Sequence, residues 1–239
     1  ITVTGQRWAE LAPLPAARGG LAVAAVGESL YAIAGQTDSG VSGEVTRYTP
    51  DNIWRARQAK PTPVRDVSGV VVGGQVYVPG GCDAAGRPQS IVEVYNPATD
   101  RWTTAPPLPR AMCGYALAAL DGKIYVIGGW DGERARAETL IYTPGASGWQ
   151  EGPSMLTPRA YAAAAVIDGH IYVIGGANDT PLTANEMLDP STDSGTPAWV
   201  GRAPLPEPRS RLAAAPVGRR IIAIDRKSTR LNSSHLGIS

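Results

Sequence analysis

Residues 123–129, KIYVIGG, limit the possible folds of this chain severely, because the same pattern returns along it. Copies stand at 29–35 (SLYAIAG), 75–81 (QVYVPGG) and 170–176 (HIYVIGG), and a last one, 220–224 (RIIAI), breaks off before its glycines. The second glycines, Gly35, Gly81, Gly129 and Gly176, lie 46, 48 and 47 residues apart. A fixed period of this size identifies a repeat architecture, in which each unit hides its apolar surface against its neighbours.

Other residues keep the same spacing. A tryptophan recurs at Trp8, Trp54, Trp102, Trp149 and Trp199, and a large ring or aliphatic group at Tyr48, Tyr95, Tyr142 and Leu188. An arginine follows a proline-rich stretch at Arg18, Arg65, Arg110, Arg159 and Arg209. Within one unit, a small apolar run (114–120) reaches Asp121-Gly122 and then KIYVIGG. Asp-Gly between apolar runs predicts a tight hairpin, since both central positions need positive φ. A polar loop, a third strand ending at Tyr142, a turn at 143–148 and a fourth strand opened by Trp149 complete the unit, so each period predicts one four-stranded antiparallel sheet.

The Gly-Gly doublet, the tyrosine after it, the tryptophan six or seven residues later and the Pro-Arg lead-in together resemble the kelch repeat, of the galactose-oxidase-like central domain superfamily. The resemblance covers residues 8–224 and departs from the pattern at Ala34, at Leu188 and in an insertion between Asp189 and Trp199. It implies an all-β, kelch-type β-propeller of four nearly complete four-stranded blades (18–57, 65–105, 110–151, 159–202) plus a half blade (209–224). Kelch rings commonly hold six or seven blades, so the ring is expected to be incomplete and to expose sheet faces and edges. Alanines at 22–25, 162–165 and 213–215 suit innermost strands crowded around an axis.

Charge is nearly balanced, 22 basic against 21 acidic residues, so no basic field points to nucleic acid or an anionic membrane. Although 43% of residues are hydrophobic, no long apolar run predicts a transmembrane span. Arginine, alanine, glycine and proline are abundant, which reads as a GC-rich, bacterial coding sequence. The chain opens on Ile1 a few residues before Trp8, so we expect the natural amino terminus to lie upstream, and localisation is not read from the missing leader. We read residues 225–239 (DRKSTRLNSSHLGIS) as translated sequencing adapter, a natural terminal segment being the alternative. His235 and the sequon-like Asn232 are then left without interpretation.

His170 stands at a hairpin turn, where a polar residue is expected for solvation alone. Copper radical oxidases share this propeller and require two histidines and a Cys-linked tyrosine, which residues 1–224 cannot supply. No zinc spacing, P-loop or dinucleotide motif is present, and no cofactor or metal is expected. Cys82 and Cys113 are expected to be two unrelated buried thiols; a bridge across neighbouring blades is the alternative, and it would favour an exported protein.

In kelch domains that bind peptides, residues just after the Pro-Arg signature and just after the glycine doublet line the channel mouth. The resemblance therefore implies candidates at Asp66, Met112, Tyr161, Ser210 and Arg211, and at Gln36 and Trp130, with Arg211, Tyr161, Trp130 and Asp66 foremost. The recurring arginines are expected to be structural, pairing with carbonyls or carboxylates between blades. Asp38, Asp83, Asp131 and Asp179 are expected to form turns, and the Asn178-Asp179-Thr180 sequon has no secretion signal behind it. The implied function is a protein- or ligand-binding module for a protein or peptide. The alternative is a carbohydrate-active enzyme similar to the bacterial sialic acid mutarotases, for which Glu44, Glu93, Glu138 and Glu186 could be proposed. Their recurrence favours a structural role, because a catalytic acid normally occurs once.

Overall fold

A computed structural model describes residues 10–191 and 196–225, together with the backbone of 234–237. Trp8, and the side chains of the segment after Asp225, lie outside the described residues. The described residues contain no helix, and therefore none long and apolar enough to cross a membrane.

The predicted blades are present. Blade 1 comprises β1 (Ala22–Val26), β2 (Ser29–Thr37), β3 (Gly40–Thr49) and β4 (Ile53–Arg57), hydrogen-bonded in sequence order. Blade 2 follows with β5 (Val70–Val72), β6 (Gln75–Pro79), β7 (Val92–Asn96) and β8 (Arg101–Ala105), and blade 3 with β9 (Ala116–Leu120), β10 (Lys123–Trp130), β11 (Ala135–Tyr142) and β12 (Gln150–Gly152). Blade 4 holds β13 (Ala163–Ile167) and β14 (His170–Ile174), then a small hairpin of β15 (Ala177–Asn178) and β16 (Thr180–Pro181), then β17 (Asn185–Leu188) and β18 (Trp199–Gly201). The last sheet pairs β19 (Ala213–Val217), β20 (Arg220–Ile224) and β21 (Ser234–Gly237), so the segment after Ile224 supplies a third strand.

The turn chemistry explains the hairpins. Asp121 and Gly122 have φ of 51° and 72°, the two positive values that join Leu120 to Lys123 across a two-residue loop. First strands of successive blades touch one another (β1 to β5, β5 to β9, β9 to β13, β13 to β19), which makes them the innermost strands around a common axis. Small residues fill four of these strands, whereas β5 is Val70–Val72.

The aromatic markers hold each blade's outer half. Tyr48 against Trp54, Tyr95 against Trp102 and Tyr142 against Trp149 have ring centroids 5.1, 5.1 and 5.2 Å apart. Each fourth-strand indole then reaches the segment that leads into its own blade: Trp54 donates to the carbonyl of Ala12, Trp102 to Gln58, Trp149 to Pro106 and Trp199 to Pro153. Tyr31 against Tyr95 and Tyr77 against Tyr142 carry the packing from blade to blade. Val23 and Leu30 on the first sheet, and Val217 and Ile224 on the last, remain exposed.

The glycine doublet serves close approach. A Cβ on Gly128 would lie 2.5 Å from the Arg159 carbonyl oxygen and 2.8 Å from the Met155 methyl, and the residue has φ of 60°. Glycine alone meets both demands. Ala34, the one departure, keeps the same backbone at φ 60°.

Candidate functional site

The lead-in to each blade is stitched to its neighbours in a fixed order. The second doublet glycine of one blade donates its amide to a carbonyl in the next lead-in: Gly35 to Val64, Gly81 to Met112, Gly129 to Arg159 and Gly176 to Arg209, at 2.8–2.9 Å. The following residue pairs with the one after the doublet of its own blade, giving Gly19 with Gln36, Arg65 with Cys82, Cys113 with Trp130, and Ala160 with Ala177. One step further on come Gly20, Asp66, Gly114, Tyr161 and Arg211, each just ahead of an innermost strand.

These last residues form a hoop at one end of the innermost strands. All of them are left-handed, with φ of 61°, 52°, 61°, 57° and 56°. Backbone bonds run round the hoop: Val67 N to Gly20 O (3.2 Å), Gly114 N to Asp66 O (2.7 Å), Tyr161 N to Gly114 O (2.5 Å) and Arg211 N to Tyr161 O (2.9 Å). The Tyr161 ring lies over Gly114, where a Cβ would come within 2.7 Å of it.

Four side chains meet at the hoop. The Asp66 carboxylate is 6% exposed, and it accepts from Arg65 (2.6 Å) on one oxygen and from Arg211 (2.7 Å) on the other. Arg211 reaches it from 145 residues away, with its guanidinium carbon 3.8 Å from the centroid of the Tyr161 ring and its side chain 57% exposed. Cation and ring at this separation attract through the ring quadrupole.

Of the residues singled out in the sequence, Arg211 thus contacts both Asp66 and Tyr161. Trp130 and the exposed Gln36 stand on the same rim through their pairing with Cys113 and Gly19, and Ser210 is half-buried beside Arg211. Met112 does not stand on the hoop. It is buried at 2%, with its carbonyl on Gly81 and its methyl against Gly129, and the hoop position of blade 3 belongs to Gly114. Val67 is likewise buried. Arg65, expected in the framework, stands beside the hoop on Asp66 instead.

The repeated arginines are in register only at Arg18, Arg159 and Arg209. Val64 and Met112 hold the equivalent places in blades 2 and 3, and the framework role passes to other cations. Arg159 is fully buried within blade 4, donating to the carbonyls of Gly175 and Ala184 and to Glu186, whose carboxylate also accepts the amides of Leu156 (2.7 Å) and Thr157 (3.1 Å). In blade 2 Lys60 substitutes, its ammonium 2.5 Å from Glu93, which also accepts the Thr62 hydroxyl at 3.0 Å. Burial draws the Lys60 ammonium below its usual range, against the opposing pull of Glu93. Such pairs tie a lead-in to the third strand of its own blade, not between blades. Arg136 meets Glu138 in blade 3, and Glu44 is exposed.

Cys82 and Cys113 form a disulfide, with Cα atoms 5.4 Å apart, and the expectation of two unrelated thiols is corrected. The Gly81–Met112 bond brings the rim of blade 2 onto the lead-in of blade 3, and the two sulfurs follow one residue later on each side. Asp83 and Asp131 close their loops by accepting two backbone amides each, as turn formers do. His170 is half-buried at its hairpin, with Nδ1 2.7 Å from the Asp168 carbonyl oxygen and Nε2 3.8 Å from Asp189.

A sequence profile described as the KLHDC2/KLHL20/DRC7 Kelch-repeats domain matches residues 20–224. Kelch repeat and BTB domain-containing protein 12 of Homo sapiens is 29% identical over 153 residues, covering 55% of this chain and 25% of that protein. Kelch-like protein 35 of Mus musculus is 32% identical over 126 residues, covering 52% of this chain and 21% of that protein. The chain therefore spans about a quarter or less of the length of these relatives. The solved structure of YjhT superposes with a TM-score of 0.83 at 16% identity, over 99% of this chain and 86% of that one, a likeness of fold alone.

Proposed function

We propose, because the chain belongs to the kelch-repeat family, that it is a binding module whose channel mouth presents side chains to a protein or peptide partner. One observation carries this reading. The hoop repeats a single backbone conformation at five places and sets a different pattern of side chains on it, Gly20, Asp66, Gly114, Tyr161 and Arg211, whereas the residues that serve packing recur. Loops held on a rigid scaffold and varied on one face suit recognition. Aspartate, tyrosine and arginine here adopt a φ normally left to glycine, and glycine serves the same backbone role at the other two positions. The disulfide beside the hoop suits an oxidising compartment.

The carbohydrate-active alternative draws on the third-strand glutamates, of which Glu93 and Glu186 are buried in ion pairs inside their blades. Calorimetric titration with a panel of peptides and sugars tests the proposal. Peptide binding lost in Tyr161→Ala is the expected result. Interconversion of sialic acid anomers followed by NMR, abolished on changing one carboxylate, would overturn it in favour of the enzyme.

A further inference from the structure

The Cys82–Cys113 bridge occupies places that carry no covalent link at the other blade junctions. Each junction is held by the amide of a second doublet glycine and by a backbone bond of the hoop. The residues that follow the doublet bond on either side are Gln36 and Arg65 between blades 1 and 2, Trp130 and Ala160 between blades 3 and 4, and Ala177 and Ser210 between blades 4 and 5. Between blades 2 and 3 both are cysteines, yet the two backbone bonds are present there as well, from the Gly81 amide to Met112 (2.9 Å) and from the Gly114 amide to Asp66 (2.7 Å). Blade pairing therefore does not require the bridge.

What the bridge adds is local. Cys82 opens the segment between β6 and β7, and its sulfur lies 3.4 Å from the Gly86 carbonyl oxygen, in a loop whose Ala84, Ala85 and Arg87 are exposed. Cys82 also exchanges two backbone bonds with Arg65, directly before Asp66, while Cys113 exchanges two with Trp130 and directly precedes Gly114. The bridge thus ties the blade 2 loop to the hoop step between Asp66 and Gly114.

We propose that the Cys82–Cys113 bridge is a redox latch: a small thiol opens it, loop 83–90 and the Asp66–Gly114 step loosen, and the blades stay paired. Cys82 and Cys113 are 3% and 0% exposed, so attack needs a local opening, which the exposed loop over Cys82 supplies. The thiolate of the small thiol attacks the Cys82 sulfur, the S–S bond breaks, and Cys113 leaves as a thiolate that takes a proton from water. A second small thiolate then attacks the small-thiol sulfur of the mixed disulfide, releasing Cys82, likewise protonated, and the oxidised small disulfide. One disulfide is reduced and two small thiols are oxidised, and the reverse exchange closes the latch. Arg211 bonds Asp66 at 2.7 Å, so the state of the latch reaches the side chains of the hoop, whatever they bind.

The test uses the full chain in buffers ranging from reduced to oxidised glutathione. Alkylation followed by mass spectrometry measures the dithiol fraction, and hydrogen exchange is read peptide by peptide. The expected result is reversible conversion, with exchange of 83–90 and 113–115 at least ~10-fold faster in the reduced state and that of β6 and β10 unchanged. Cys82→Ser/Cys113→Ser should exchange like the reduced wild type in either buffer. Unchanged protection of 83–90 after reduction overturns the proposal. Loss of protection across β6 and β10 on reduction also overturns it and makes the bridge a prop of the fold, as does a bridge that stays closed until those strands unfold.

Discussion

Lys60→Met tests the electrostatic framework where it is most enclosed. The side chains of Lys60 and Glu93 are 0% and 2% exposed, with Nζ and Oε2 2.5 Å apart. At an effective dielectric of about 20 their attraction is on the order of 6–7 kcal/mol, most of it offset by the loss of hydration of two ions. Methionine matches the stem of lysine and removes its charge. Glu93 keeps its bond from the Thr62 hydroxyl but loses its cation, so a destabilisation of about 3–5 kcal/mol is expected. For a domain of this size that corresponds to roughly 6–20 °C in Tm. Urea melts of wild type, Lys60→Met and Lys60→Met/Glu93→Gln measure it, and the double variant should recover to within about 1 kcal/mol of wild type, since two neutral partners replace a buried ion pair. A loss below about 1 kcal/mol in the single variant refutes the assignment of Glu93 as a charge held in place by Lys60.

Further outcomes follow from other parts of the fold. Gly128→Ala should lose about 3 kcal/mol by denaturant titration, because a Cβ would lie 2.5 Å from a carbonyl oxygen at φ 60°, combining overpacking with left-handed strain. Replacing Cys82 and Cys113 by alanine should lower stability by about 3–4 kcal/mol, given the 31-residue separation the bridge closes, and reductant should bring wild type toward the same melting point. In blade 3, burial pushes the Asp131 carboxyl up but is outweighed by the amides of Arg134 and Glu133 and the charges of Arg136 and Arg110, and Glu138 is likewise held down beside Arg136. Both carboxyls therefore contribute stability that is present above ~4.3 and lost as pH falls through their lowered values. Arg136→Gln should flatten that acid limb in thermal melts recorded between pH 6 and 2.

The blades were legible because their signals are local and redundant. Asp121-Gly122 specifies a turn, and the Trp and Tyr of blades 1 to 3 pack on one another, so a period read from glycines finds them too. The register of the lead-ins was not legible. Aligning on arginine equates Arg65 and Arg110 with Arg159, whereas hydrogen bonding equates Val64 and Met112 with it. An apolar residue satisfies the position because only its carbonyl is required there, and the buried cation can come from Lys60. One of the three lysines in an arginine-rich chain, placed four residues ahead of Val64, was the available clue. Counting from the lead-in puts Asp66, Tyr161 and Arg211 on one backbone hoop, the same count misplaces Met112 because the arginine register slips in blade 3, and Arg65 and the disulfide depend on which blades meet.

The left-handed hoop also limits how this face can change over evolutionary time. A position held at φ between 52° and 61° accepts glycine, asparagine and aspartate readily, and admits tyrosine or arginine at some strain, but it resists valine, isoleucine and threonine. Replacements at these positions are thus drawn from a reduced alphabet, one rich in charge, amide and aromatic groups and poor in branched aliphatics. Drift toward a plain hydrophobic patch is closed off by the backbone itself, before selection on any ligand begins.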